Sequence, residues 1–403
     1  MIIKNIARAL KRFTKRLFKK LASYIVNRKI NSQSKASISI LKFSDSLPLH
    51  KQIYYLSFYL NPILDKVKLI KVRGISSKEL NRLKNFNYET LDFLSSESKV
   101  INSFLDKLKK RSTINSLSLI NLSSPSYNIG FNYNLDVYQN KNATSEMLNL
   151  SNRFFSQKKI VEESKKRYLN NVVTKEKSEK ILLLGSGPSV DSFDFSNYSD
   201  HDIMICNSLV KSEKIKNLEN IKYILFGDPI FHSGPSKYAG VFRETLIKNY
   251  MNKEISIFTP SRDYLIYKHY LPKKLFDKIH FFEIRQEFFN KDLDRSFHVN
   301  ATQNILTLAM LPVAMNNYEK IFFAGFDGNS DIKKNYYWSH SKKYQFENEL
   351  TDIKKIHPGF FKIDFDEYSE DHNKVLGKII KSYPDILFQN LTESSIDALK
   401  DIT

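Results

Sequence analysis

Over the first 30 residues the apolar positions Ile3, Ile6, Leu10, Phe13, Leu17, Leu21, Tyr24 and Ile25 recur mostly at steps of three and four. Such steps collect on one face of a helix. Lys4, Arg8, Lys11, Arg12, Lys15, Arg16, Lys19 and Lys20 fill the opposite face. The pattern then shortens. SISILKF (37–43), YLSFYL (55–60), KVKLIKV (66–72) and SLSLINL (116–122) predict strands, being short runs rich in β-branched and aromatic residues. Helical patterns, SSKELNRLKNF and SKVINSFLDKLKK, lie between them. Ser112 to Leu150 is rich in Ser and Asn and reads as loop. Residues 152–179 read as a charged helix and a linker, which puts a domain boundary near 175.

From Lys180 onward the punctuation sharpens. KILLLGSGPSV predicts a buried strand ending in a Gly-rich turn, and IMICN (203–207), KYILFGD (222–228), EISIFTP (254–260) and KIHFFEI (278–284) predict further strands. A helix over 301–317 is followed by the strand KIFFAGFDG (320–328), a helix over 371–383, the strand DILFQN (385–390) and a last helix. Strands that are apolar throughout, alternating with helices, predict a parallel sheet covered on both faces. Ligands of such sheets bind at the carboxyl ends of the strands. Four of those ends carry polar or small residues: GSGPS, Cys206-Asn207, Gly227-Asp228 and Gly325-Phe326-Asp327.

Composition narrows the classes. The chain has 403 residues, long enough for two or three domains, and its 41% apolar content excludes wholesale disorder. One cysteine, Cys206, excludes an internal disulfide and a cysteine zinc site. No apolar stretch approaches the ~18 residues of a transmembrane helix. The formal charge is +20, and the first 30 residues supply ten Lys/Arg and no acid. A basic amphipathic helix of this kind suits an anionic bilayer surface. Charges interrupt any signal-peptide core, and a nucleic-acid arm needs no continuous apolar stripe, so no nucleic-acid partner is expected.

The GSGPS turn lets backbone approach a ligand at Gly185 and Gly187, and Pro188-Ser189 can start a helix whose amides face an anion. Val190 stands where a third dinucleotide-binding glycine would fall, and no Gly-Lys-Ser/Thr marks a P-loop. Asp327 and Asp331 are too far apart for a tight Asp-x-Asp metal pair. His232, after Gly227-Asp228-Pro229, is within reach of the cleft, but reads first as a loop histidine without a role. His201, His269, His280, His298 and His357 form no ligand spacing, and Arg295 reads as a surface arginine.

LLLGSGPSVDSFDFSNYSDHDIMICNSL resembles the opening of bacterial sialyltransferases of glycosyltransferase family 42. A wider related group includes the flagellin-glycosylating motility-accessory proteins. The resemblance continues through the helix at Thr302, the strand YEKIFFAGFDG, a late helix headed by His372 and the closing ILFQNLTESSIDAL. It spans about 220 of the 403 residues, all after position 175. It implies a Rossmann-like variant of the single-domain glycosyltransferase fold and inverting transfer of sialic acid from CMP-sialic acid, with no cofactor and no obligatory metal. It further implies that Gly185, Ser186, Gly187, Pro188 and Ser189 border the nucleotide phosphate and ribose, and that Asn207 bonds the nucleotide. Thr302 and Gln303 would hold ribose and cytosine, with Gly325 and Asp327 as the floor. Asp228, at the tip of its strand, joins this donor set. Tyr336 and Tyr337 would donate to the leaving phosphate, and His372 would be the general base. His340, in His-Ser-Lys, is the rival base.

The expected whole is an α/β chain of three parts: a membrane-surface helix (1–30), an N-terminal α/β domain (31–175) and a Rossmann-like catalytic domain (176–403). Its expected partners are a nucleotide sugar, a glycan or lipid-linked acceptor and an anionic membrane at the cytoplasmic face of the bacterial inner membrane; a homo-oligomer is left open. Protein glycosylation of the motility-accessory type and a non-catalytic nucleotide- or membrane-binding module are the alternatives.

Overall fold

The computed structural model describes residues 36–40, 54, 57–72, 108–109, 119–121, 143–152, 155–173, 178–287, 289–328, 343–346, 349–351, 353, 357–362 and 365–402. The basic segment 1–30, Tyr336, Tyr337 and His340 lie outside them. Among the described residues no helix is long and apolar enough to cross a membrane.

Two sheets form. In the first, β1 (Ala36–Ile40), β2 (Val67–Val72), β3 (Leu108–Lys109) and β4 (Leu119–Asn121) stand in the order β3-β2-β1-β4, with β4 antiparallel to β1. Three of the four strand expectations in this half therefore hold, and one fails. Within YLSFYL, Ser57–Leu60 are helical, like Tyr54 before them, and lead into a 3-10 turn at Asn61–Lys66. A six-residue apolar run does not by itself distinguish a buried strand from a buried helical turn. Here Ser57 Oγ donates back to the Tyr54 carbonyl at 2.7 Å, a bond between neighbouring helical turns.

The second sheet has eight strands. They are β5 (Ser178–Leu184), β6 (Asp202–Cys206), β7 (Ile221–Leu225), β8 (Ser256–Pro260), β9 (Ile279–Arg285), β10 (His298–Asn300), β11 (Tyr318–Ala324) and β12 (Leu387–Asn390). Their order is β10-β9-β8-β7-β6-β5-β11-β12, and every pairing is parallel. From β5 the chain steps outward one strand at a time to β10, then returns to lay β11 on the other side of β5. The reversal between β5 and β11 is the switch point at which ligands bind in open α/β sheets.

The continuous apolar runs follow from burial on both faces. Ile181, Leu182, Leu183 and Leu184 are each fully buried. Leu182 and Leu184 join a cluster with Phe242, Leu246 and Tyr250 of the Lys237–Tyr250 helix. Ile181 and Leu183 join one with Tyr168, Met310, Val313, Leu376 and Ile379 on the other face. At ~1.5–3 kcal/mol for each large apolar side chain, these four residues anchor the sheet.

Packing crosses position 175, where the sequence suggested a boundary. Tyr168, on the Gln157–Asn171 helix, is fully buried in the core of the second sheet, and its hydroxyl accepts from Asn316 Nδ2 (2.8 Å) and Asn317 Nδ2 (2.9 Å). Further upstream, Phe58 stacks on Tyr270 with centroids 4.7 Å apart, and the Tyr270 hydroxyl donates to the Phe58 carbonyl.

Candidate active site

The carboxyl ends of β5 and β11 are sewn together by backbone. Gly185 N–H donates to the Ala324 carbonyl and Gly187 N–H to the Gly325 carbonyl, both at 2.8 Å. The contact requires glycine. A Cβ on Gly185 would lie 2.3 Å from Gly325 O, and Gly325 itself adopts φ +76°, a region that side chains disfavour.

The expected anion site at Pro188-Ser189 is filled from within the protein. Ser189 N–H donates to Asp327 Oδ2 at 3.0 Å, and Ser189 Oγ donates to Asp327 Oδ1. The amides at this short turn do meet an anion, but it is the Asp327 carboxylate. Gly187, Pro188, Ser189 and Asp327 accordingly brace the switch point and do not line the cavity above it.

That cavity measures about 500 Å³, within the range of small-molecule sites. Gly185, Ser186, Asn207, Asp228, Thr302, Gln303 and Gly325, all singled out in the sequence, line it together. Asn207 directly follows β6 with φ +49°, a left-handed conformation that asparagine tolerates better than most residues. Thr302 accepts from Thr307 Oγ1 at 3.0 Å, ahead of the helical segment that starts near Leu306 and not inside it.

His372 sits elsewhere. The late helix runs Phe365–Ser382, so His372 lies two turns in and does not head it. The residue is 5% exposed, is absent from the cavity wall, and burial pushes its imidazole down to about 4. Tyr368, one turn earlier on the same helix, does line the cavity, and its hydroxyl accepts from Asn304 Nδ2 at 3.1 Å.

Further residues complete the wall. His232 is no idle loop histidine: it is 3% exposed against Phe226 and Phe242. Its Nδ1 accepts from the Asp228 N–H at 3.1 Å, and burial lowers its imidazole to about 3, so the ring is neutral with its proton on Nε2. Arg262 also lines the wall. It donates to the Gly227 carbonyl at 2.5 Å and pairs with fully buried Asp263 at 2.9 Å. Ser145, from the Ala143–Asn152 helix, reaches the same wall, so the N-terminal half contributes to the site. The Asp-Pro-x-x-His spacing after β7 was the signal for His232. Arg262 and Ser145 carried none. Among the described residues no three His, Cys, Asp or Glu side chains cluster as a metal-ligand set.

No protein-family model matches the chain, and no curated protein matches it. Among solved structures, the sialyltransferase CstII from Campylobacter jejuni in complex with cytidine-5'-monophosphate aligns with TM-score 0.32 and 16% identity, over 56% of this chain and 84% of that one. An alpha-2,3-sialyltransferase from Campylobacter jejuni in apo form aligns with TM-score 0.31 and 19% identity, over 57% and 81%.

Proposed function

We propose that the chain is a glycosyltransferase moving a sialic-acid-type (nonulosonic) sugar from a CMP donor to a cell-surface glycan of the capsule or lipooligosaccharide kind. One observation carries this reading. Ser186 and Asn207 come from the opening segment of the family-42-like sequence pattern and Thr302 and Gln303 from a segment about a hundred residues later, and the four meet on one cavity at the switch point of a parallel sheet.

The chemistry available there suits such a transfer. Inverting displacement of a nucleotide needs a base for the acceptor hydroxyl and polar support for the departing phosphate. The wall supplies hydroxyls from Ser186, Thr302 and Tyr368, side-chain amides from Asn207 and Gln303, and a neutral imidazole N–H from His232. Tyr336, Tyr337 and His340 remain proposals from the resemblance, and a peripheral seat on the cytoplasmic membrane face is proposed from the basic amphipathic pattern of residues 1–30. Protein glycosylation would be favoured if purified flagellin-type acceptors, and not oligosaccharides, accept the sugar. Protection of the protein against heat by CMP, but not by UDP or GDP, tests the donor class.

A further inference from the structure

We infer that the β7–β8 end of the cavity is the acceptor end, and that Asp228 there is the general base that takes the proton from the attacking hydroxyl. This rests on the transferase reading above, and deepens it. Gly185, Ser186 and Gly325 wall the cavity at the β5–β11 reversal, whereas Asp228, His232 and Arg262 wall it two and three strands away. A donor whose nucleotide occupies the reversal extends its sugar toward β7.

At that end the wall holds a carboxylate with one oxygen to spare. Asp228 Oδ1 accepts from the Ile230 N–H (2.8 Å) and the Phe231 N–H (3.4 Å), which fixes the side chain at the start of the Pro229–Ser233 turn. Among the described residues, Oδ2 accepts no hydrogen bond. The charged and titratable groups facing Asp228 are Arg262 and Asp263 from the turn after β8, His232 from its own turn, and Tyr238 from the Lys237–Tyr250 helix. Arg262 and Asp263 are paired with each other, His232 is held neutral, and the Tyr238 hydroxyl donates to Gln345 Oε1 at 2.5 Å. Burial raises Asp263 as well, but that carboxylate is taken up by Arg262, whereas Asp228 keeps an oxygen turned from any partner among the described residues. Burial raises its carboxyl to about 6, against the pull of the two amides and Arg262, and such a value suits a base working near pH 7.

The acceptor O–H proton moves to Asp228 Oδ2 while the acceptor oxygen bonds to the anomeric carbon. The bond from that carbon to the donor phosphate oxygen breaks, its electron pair leaves on CMP, and Asp228 returns the proton to solvent. His232 Nε2–H, fixed by its bond to the Asp228 amide, donates to a sugar oxygen beside the base.

The test compares wild type, Asp228→Asn and His372→Ala in the full chain. CMP protection against heat is measured first, then CMP release from CMP-N-acetylneuraminic acid with lactose, with 3'-sialyllactose and with water as acceptors, from pH 5 to 8. Asp228→Asn retains an oxygen for the two amides, so CMP protection should persist while CMP release falls at least about a hundredfold. The wild-type acid limb near pH 6 should vanish with it. Asp228→Asn turnover within about threefold of wild type, with the limb intact, overturns the inference, as does a hundredfold loss confined to His372→Ala. CMP protection of wild type without CMP release in any mixture also overturns it, leaving nucleotide binding in place. No protection of wild type by CMP overturns the functional reading itself, and the base with it.

Discussion

Ser189 gives both its amide and its hydroxyl to the carboxylate of Asp327, joining the turn after β5 to the turn after β11. These are the two strands between which the sheet order reverses, so the pair braces the switch point. Removing the acceptor leaves two donors without it. Asp327→Ala is expected to cost about 1–3 kcal/mol in urea unfolding, whereas Asp327→Asn, which keeps one acceptor oxygen, should cost less. Because Asp327 does not line the cavity, Asp327→Asn should still be protected by CMP. Unchanged stability in the alanine variant contradicts the bracing role.

Two glycines make an internal control. Gly325 has φ +76°, and a Cβ there would sit 2.1 Å from Val190 Cγ2 and 2.5 Å from Gly185 O. Gly325→Ala should lose roughly 1–3 kcal/mol from strain alone, and more where the clash cannot relax. Gly377 lies inside the Phe365–Ser382 helix, where an added Cβ meets only the Ala398 Cβ at 3.7 Å. Gly377→Ala should gain roughly 0.5–1 kcal/mol. Equal effects at the two positions would refute the close approach of the β5 and β11 turns.

Acid should weaken the fold before carboxylate protonation dominates. Burial holds His232 at about 3 and His280, His357 and His372 at about 4, below the usual ~6.5 of imidazole. Between those values the unfolded chain takes up protons that the fold refuses, so stability falls as pH drops from about 6.5 toward 4. Asp228 and Asp263 run the other way, since burial raises both carboxyls and each binds a proton in the fold first, but they are two groups against four. Each net proton contributes at most about 1.4 kcal/mol per pH unit. Thermal melts should show Tm decreasing from pH 7 to pH 5, and a flat or rising Tm would contradict the neutral buried histidines.

The N-terminal helix reading makes a separable prediction. Deleting residues 1–30 removes ten of the 63 basic side chains and the whole amphipathic stripe. The truncated protein should lose binding to anionic vesicles while keeping CMP release with soluble acceptors. Retained vesicle binding would place the membrane contact elsewhere.

The eight-stranded sheet was largely legible, because its central strands are buried on both faces and read as unbroken apolar runs, as in Ile181–Leu184. β10 was missed: His298-Val299-Asn300 is three residues long and shows no period. YLSFYL failed for the opposite reason, having enough apolar residues to satisfy either period. In the site, glycines and strand-end polar residues were readable because turn chemistry is local. The partners that decide their roles were not, since Ser189 and Asp327 are 138 positions apart and Arg262 reaches back to Gly227 across 35. Likewise the helix carrying His372 begins six residues earlier than its apolar pattern suggested, which moves that imidazole from a helix start into the interior.

Nucleotide-dependent thermal stabilisation of the 403-residue chain decides whether the cavity takes a CMP donor. A ligand at about a hundredfold over its Kd adds about 2.7 kcal/mol to the folded state. If the proposed CMP donor binds, Tm should rise with CMP concentration, and not with equal concentrations of UDP or GDP. Stabilisation by UDP or GDP in place of CMP, or by no nucleotide, would contradict it.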